Sequence, residues 1–212
     1  MKKYVLTKTT KKWMGITLYQ IKAVRDIPEQ DIEEGELGGW IAAEKNLDQD
    51  GNAWVYGNAR VYGDAQVYGN AQVYGDAWVS GDAQVSGNAR VYGDAWVSGN
   101  AWVSGDAQVY GNAQVYGDAW VLSRKHIFWA SSVGSEDGTL TAYTIKTGEV
   151  EVTRGCFRGT VEEFETAVRK RHDGSRYGEE YLVLIEYIKL RFREVTVTEI
   201  DEPEADEESV EA

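Results

Sequence analysis

Two histidines, His126 and His172, and one cysteine, Cys156, are the side chains of this 212-residue chain best suited to move a proton or attack a substrate. His126 lies in "SRKHIF" and reads as a solvated surface residue. His172 closes the segment "VEEFETAVRKRH", where a cation favourably meets the negative end of a helix dipole. Cys156 has no base beside it in sequence and reads as a packed residue. A lone cysteine makes neither a disulfide framework nor a thiolate zinc site. These residues lead us to expect no catalytic residue, no metal and no cofactor.

The elements that would have to position any chemistry are unusually plain. From Asn52 to Leu122 the chain repeats [Asn/Asp]-Ala-x-Val-[Tyr/Ser/Leu] with a glycine before each Asn or Asp, and twelve valines fall six residues apart from Val55 to Val121. A strict short period is the mark of a solenoid. The tripeptide around each valine alternates out-in-out as a short strand does. Gly followed by Asn or Asp tolerates a tight corner, and alanine is small enough to point inward there. Three such sides close a triangular coil of 18 residues, so the twelve hexads make four coils, a prism roughly 19 Å tall. Ile127 and Val133 continue the phase beyond Val121, with Ser131 in the small corner slot. Ile41 and Leu47 read as a degenerate coil with a two-residue insertion before Val55, giving about five coils. Asp64 then stacks on Asp82 and Asp76 on Asp94, columns that could attract a cation but read as solvated turns.

The phrase "V-x-G-[DN]-A-x-V" resembles the hexapeptide repeat of left-handed parallel β-helix proteins. With "LYQIKAVRDI", "ELGGWIAAEKNL", "GCFRGTVEEF" and "YGEEYLVLIEYIKLRF", the chain up to Phe192 is similar to a family of phage and prophage hexapeptide-repeat proteins, largely of unknown function. The resemblance implies the left-handed coil; the period alone does not. Many such β-helices are acyltransferases with a coil-borne histidine base, and others are zinc hydratases with three histidine ligands. None of the perfect hexads here holds a histidine, and two histidines cannot supply three ligands.

The fold expected is mainly β: residues 1–40 as an N-terminal strand cap, 41–133 as the β-helix, 134–195 as a C-terminal α/β cap or interaction module, and 196–212 as an acidic disordered tail. "TLTAYTI" and "EVEV" read as a hairpin turning at Thr147-Gly148; Thr160 and Glu163 form a capping box; a second helix runs from about Tyr177 to Phe192. Net charge is −13, and eight acids with no base fall between Glu199 and Ala212. That tail reads as solvated, with a nucleic-acid mimic or a docking peptide as the alternatives. No basic patch neutralises phosphates, so direct nucleic-acid binding is not expected. No apolar run is long enough to span a membrane, and "MKKYVLTKTTKKW" lacks the apolar stretch of a signal peptide. The expectation is a cytoplasmic protein of a bacterial host cell.

Function then rests on the outward slots. Tyr56, Tyr74, Tyr92 and Tyr110 stack on a first side; Trp78 and Trp96 share the second; Trp102 and Trp120 share the third. Three of the four serine hexads also carry tryptophan, as if a small neighbour lets the indole lie flat. Ordered exposed aromatics suit contact surfaces. Three readings stand: stacking that only stabilises the coil, self-association such as a homotrimer, and capture of a foreign partner, such as a host protein, or of a ligand. The reading is a non-catalytic interaction or scaffold protein. The alternative is a degenerate hexapeptide acyltransferase, or a small-ligand binder with its site at a subunit seam.

Overall fold

In the computed structural model, which describes residues 2–195, all twelve repeat valines and the alanine two positions before each are fully buried along one axis. The acidic tail expected over 196–212 lies outside the described residues. The chain enters through Tyr4–Trp13 (β1), Ile16–Ala23 (β2) and Leu37–Ile41 (β3). The first side of the prism stacks Trp54–Val55 (β4), Gln72–Val73 (β7), Arg90–Val91 (β10) and Gln108–Val109 (β13). The second stacks Arg60–Val61 (β5), Trp78–Val79 (β8), Trp96–Val97 (β11) and Gln114–Val115 (β14), and carries β1, β2 and β3 at its edge. The third stacks Gln66–Val67 (β6), Gln84–Val85 (β9), Trp102–Val103 (β12) and Trp120–Val121 (β15). Neighbouring repeat strands run parallel with valine beside valine, as in Val73, Val91 and Val109.

Each corner between the repeat hexads is a glycine with positive φ. At Gly93, φ is +73° and a Cβ would sit 3.0 Å from the Gly111 nitrogen of the next coil, so the corner needs glycine for conformation and for space. Beyond the perfect hexads, Ile41 pairs with Val61 and Leu47 with Val67, and Ile127 fills the next inward position after Val121. From Ile41 to Ile127 the inward residues make about five coils. The phase does not extend to Val133. Ile127–Val133 (β16) turns into an antiparallel pair with Gly138–Thr144 (β17), and Val133 packs in a second core. After Ile127 there is neither a Gly-[Asn/Asp]-Ala corner nor the short 3-10 turn that replaces it at Glu44–Asn46 and Arg124–His126, so the chain runs straight.

A coil has a polarity, and it decides what each end must supply. Each coil donates its N–H groups to the next: Trp54 N–H to Ala71 C=O, Tyr56 N–H to Val73 C=O. The first coil is therefore left with bare carbonyls and the last with bare N–H groups. At the first end the chain supplies donors. Lys3 Nζ donates to the carbonyls of Ala53 (2.9 Å) and Asp50 (3.2 Å), and Tyr4 Oη to those of Leu47 (2.7 Å) and Glu44 (2.8 Å). At the far end it supplies acceptors. Gln114 N–H donates to Thr141 Oγ1 (3.0 Å), Tyr116 N–H to Tyr143 Oη (3.3 Å) and Leu122 N–H to His126 Nδ1 (3.1 Å).

The acceptors come mostly from a module with its own core. β16 and β17 continue into Val150–Arg154 (β18) and Phe157–Thr160 (β19), an antiparallel sheet. Along β17, Thr141 and Tyr143 face the coil end while Leu140 and Ala142 face the helices. Alternation with both faces buried is what places this strand between two cores. Val161–His172 (α1) starts at the Thr160–Glu163 capping box, with both reciprocal hydrogen bonds present. Val161, Phe164 and Val168 of α1 and Tyr181, Ile185, Ile188 and Phe192 of Arg176–Phe192 (α2) fill the second core.

Lys3 is fully buried, and that burial pushes its pKa down to about 8. The unfolded chain then binds more protons than the folded one between about pH 8 and the ordinary lysine value of about 10.4. Lys3 therefore favours the folded state most above that window and loses the contribution as pH falls through about 8. Between pH 8 and 10 the parent should gain stability relative to Lys3→Met, measured by denaturant melts; parallel curves would rule the effect out.

Candidate functional site

The outward slots follow a diagonal rule that the hexad phase alone does not reveal. Trp102 Nε1 donates to Ser86 Oγ at 3.3 Å, so the indole leans across the third side onto the preceding coil. Ser80 and Ser104, at the same sequence offset from Trp96 and Trp120, are buried like Ser86. Ser98, whose diagonal neighbour is Gln114, is only half-buried. For Trp102 the small neighbour is thus one coil earlier, not in the same hexad. The indole N–H groups of Trp96 and Trp120 are buried with no hydrogen-bond partner.

The three sides differ in what remains accessible. On the first, Tyr74 stacks on Tyr92 with centroids at 4.7 Å, and Tyr92 on Tyr110 at 4.8 Å, each pair within 6° of parallel. Tyr56 meets Tyr74 edge-on at 6.3 Å, and Trp129, which the sequence reading missed, caps Tyr110 edge-on at 4.2 Å. Burial raises the pKa of Tyr56 to about 12 and also raises those of Tyr74 and Tyr92. On the second side, Trp78 and Trp96 sit in the middle of a longer column. Trp13 of β1 packs on Trp78 at 4.7 Å, and Tyr116 packs on Trp96 at 5.4 Å. Arg60 lies over the Trp13 ring at 4.2 Å. Trp54, outward by phase, is fully buried because Tyr4 folds against it at 6.3 Å.

The third side carries a groove, although Trp120, expected as an exposed contact residue, is buried there. Its floor is Gln66, Gln84, Trp102 and Trp120, with the two indoles edge-on at 4.4 Å. Residues 44–49 overhang it at one end and 145–147 at the other, leaving a groove of about 1280 Å³. Lys146 lies over Trp120 at 5.1 Å.

The polar candidates are placed elsewhere. His126 is half-buried, not solvated, because its Nδ1 takes the otherwise bare Leu122 N–H; burial holds its pKa below the usual histidine value. His172 packs beside Tyr181 at 5.8 Å, far along α1 from the coil. Cys156 is exposed, not packed, since it lies in the tight turn between β18 and β19. In the corner columns Asp64 accepts from Lys45, and Asp76 lies 3.7 Å from Arg60. Asparagines do the stacking: Asn52 Nδ2 donates to Asn70 at 3.0 Å and Asn70 Nδ2 to Asn88 at 3.2 Å. Among the described residues no cluster of His, Cys, Asp or Glu is arranged to hold a metal ion, and no helix is long and apolar enough to cross a membrane.

His126→Ala should leave Leu122 N–H unsatisfied and cost about 1–3 kcal/mol. In the parent the contribution is whole above about pH 6.5 and declines as pH falls, because protonation competes with Nδ1 as acceptor. Thermal melts of both proteins at pH 5 and 8 check this: the gap between them should narrow at pH 5.

Three parallel sheets wound on one buried valine axis define a β-solenoid repeat protein. The chain is similar to the YdcK beta solenoid repeat family, which matches at residues 53–69, 65–81, 83–99 and 107–123, all within the coils. No curated protein matches the chain.

Proposed function

We propose that this chain is a non-catalytic interaction or scaffold protein of the phage and prophage hexapeptide-repeat kind, holding a second copy of itself or a host protein in the bacterial cytoplasm. The third side carries the reading. An indole fixed by Ser86, two glutamines and overhangs at both ends form a groove of about 1280 Å³. Small-molecule pockets are commonly about 300–1,000 Å³ and enclosed, so a wide open groove suits an extended macromolecular segment better. The binding to Leu122 N–H and the packing on Tyr181 give both histidines structural work, which supports an interaction protein over a transferase.

Glutamine fills the slot of Trp102 one coil away, at Gln84, so the backbone accepts Trp102→Gln. That variant should lose about 1–2 kcal/mol of stability. Its self-association or partner capture should weaken by about thirtyfold, the effect of losing about 2 kcal/mol at an interface centre. Trp78→Gln with Trp96→Gln should lose similar stability with capture intact, because their column is closed by Trp13 and Tyr116. Sedimentation and pull-down on the same samples decide; unchanged assembly and capture by Trp102→Gln would sink the third side as the contact.

A further inference from the structure

The first side ends in a recess whose charge has no counterpart among the described residues. Gln108, Tyr110, Arg124, Ile127, Phe128, Trp129 and Arg191 line it. Arg191, near the end of α2, reaches in to donate to the carbonyls of Arg124 (2.8 Å) and Ile127 (3.1 Å). Arg124 lines the recess with Tyr110, and Arg90, on β10, stands on the same side of the prism as the tyrosine column. Among the described residues none of Arg90, Arg124 and Arg191 is paired with a carboxylate. Tyr110 is 39% exposed, and Tyr187, 46% exposed, packs on Phe128 at the rim. The opposite end of this side is different: Gln30 closes it against Tyr56, with Asp31 and Glu36 nearby.

We propose that the acidic segment Glu199–Ala212 of this same chain docks in the recess, its carboxylates on Arg90, Arg124 and Arg191 and its backbone along the tyrosine stack. Three observations favour this occupant. The described chain ends at Val195, four residues after Arg191, which itself lines the recess. The segment carries eight acids and no base against three guanidiniums that lack carboxylate partners. Seventeen residues follow Val195 and reach up to roughly 55 Å when extended, several times the roughly 14 Å rise from Tyr56 to Tyr110. Docking would neutralise the arginines and cover Tyr110 and Trp129 until another acidic segment displaced it. This occupancy is a property of the chain by itself, independent of any partner on the third side.

The probe is a fluorescent peptide of residues 196–212, read by anisotropy against full-length proteins. In one protein Asp201, Glu202, Glu204, Asp206, Glu207 and Glu208 are replaced by the matching amides. Peptide should bind this neutralised chain about tenfold or more tighter than the parent, whose own tethered segment competes at an effective concentration of order millimolar. Binding should weaken steeply with salt. Arg90→Gln with Arg124→Gln in the neutralised chain should abolish it; glutamine already fills the Arg90 slot at Gln72 and Gln108, and a melt close to the parent's verifies folding. Equal affinity for parent and neutralised chain, or binding indifferent to the arginine changes, would overturn the proposal. So would a parent that sediments as a dimer and a neutralised chain that does not, because the segment would then occupy a second copy.

Discussion

Val91→Asp should unfold the middle of the prism. The valine is fully buried with Val73 and Val109 directly against it, so the carboxylate would meet only apolar neighbours. Burying an unpaired charge costs several kcal/mol at least, and in a solenoid each coil is held only by its neighbours, so the loss spreads in both directions. Tyr92→Ser, one residue on, should cost about 1–2 kcal/mol from lost ring stacking, since serine fills that slot at Ser80, Ser86, Ser98 and Ser104. Urea melts followed by tryptophan emission separate the two. Similar losses for both would mean that inward and outward positions are misassigned.

Gly105→Ala should be the most damaging of the corner changes. Gly105 has φ +61°, and a Cβ there would stand 2.1 Å from the Leu122 carbonyl oxygen, a backbone atom with little room to yield. Gly57 has φ +53° and nothing within 4 Å of the same position. Gly57→Ala should therefore cost about 1–2 kcal/mol, the left-handed strain alone. Gly105→Ala adds a backbone clash and should cost about 3 kcal/mol or more. The displaced Leu122 would also lose its bond to His126, so the damage should appear first as faster amide exchange at Leu122. Equal melting temperatures for the two variants would show that corner spacing relaxes freely.

The coils could be read from residues because a six-residue period leaves one arrangement in which every valine is inside. Ile41 and Leu47 were readable for the same reason, and the Thr160–Glu163 box for its local spacing. Other features depend on contacts between distant parts of the chain. Val133 has the right phase, yet the corner sequence that would bend the chain towards the axis is missing. Trp54 has an outward phase, but its burial depends on Tyr4, fifty residues earlier. His126 looked solvated because nothing local shows that Leu122 is the last coil's donor. The tyrosine column was legible from the period. Its cap Trp129 and the guanidiniums beside it come from three elements that meet only when the second core forms.

The two ends of the prism answer different chemical deficits, carbonyls at one and N–H groups at the other, and this makes the coil number an adjustable dimension. Inserting one 18-residue coil between two identical corners adds roughly 4.8 Å of length and returns every column to its own side. Both closures would still meet the groups they were built to satisfy. Removing a single hexad instead shortens the axis by a third of that and turns the helical module by about 120° relative to β1 and β2. Arg124 and Arg191 would then face a different side. Length and azimuth are thus set by separate integers, so duplication or loss of short tandem units could respace or re-aim the two ends without a new fold.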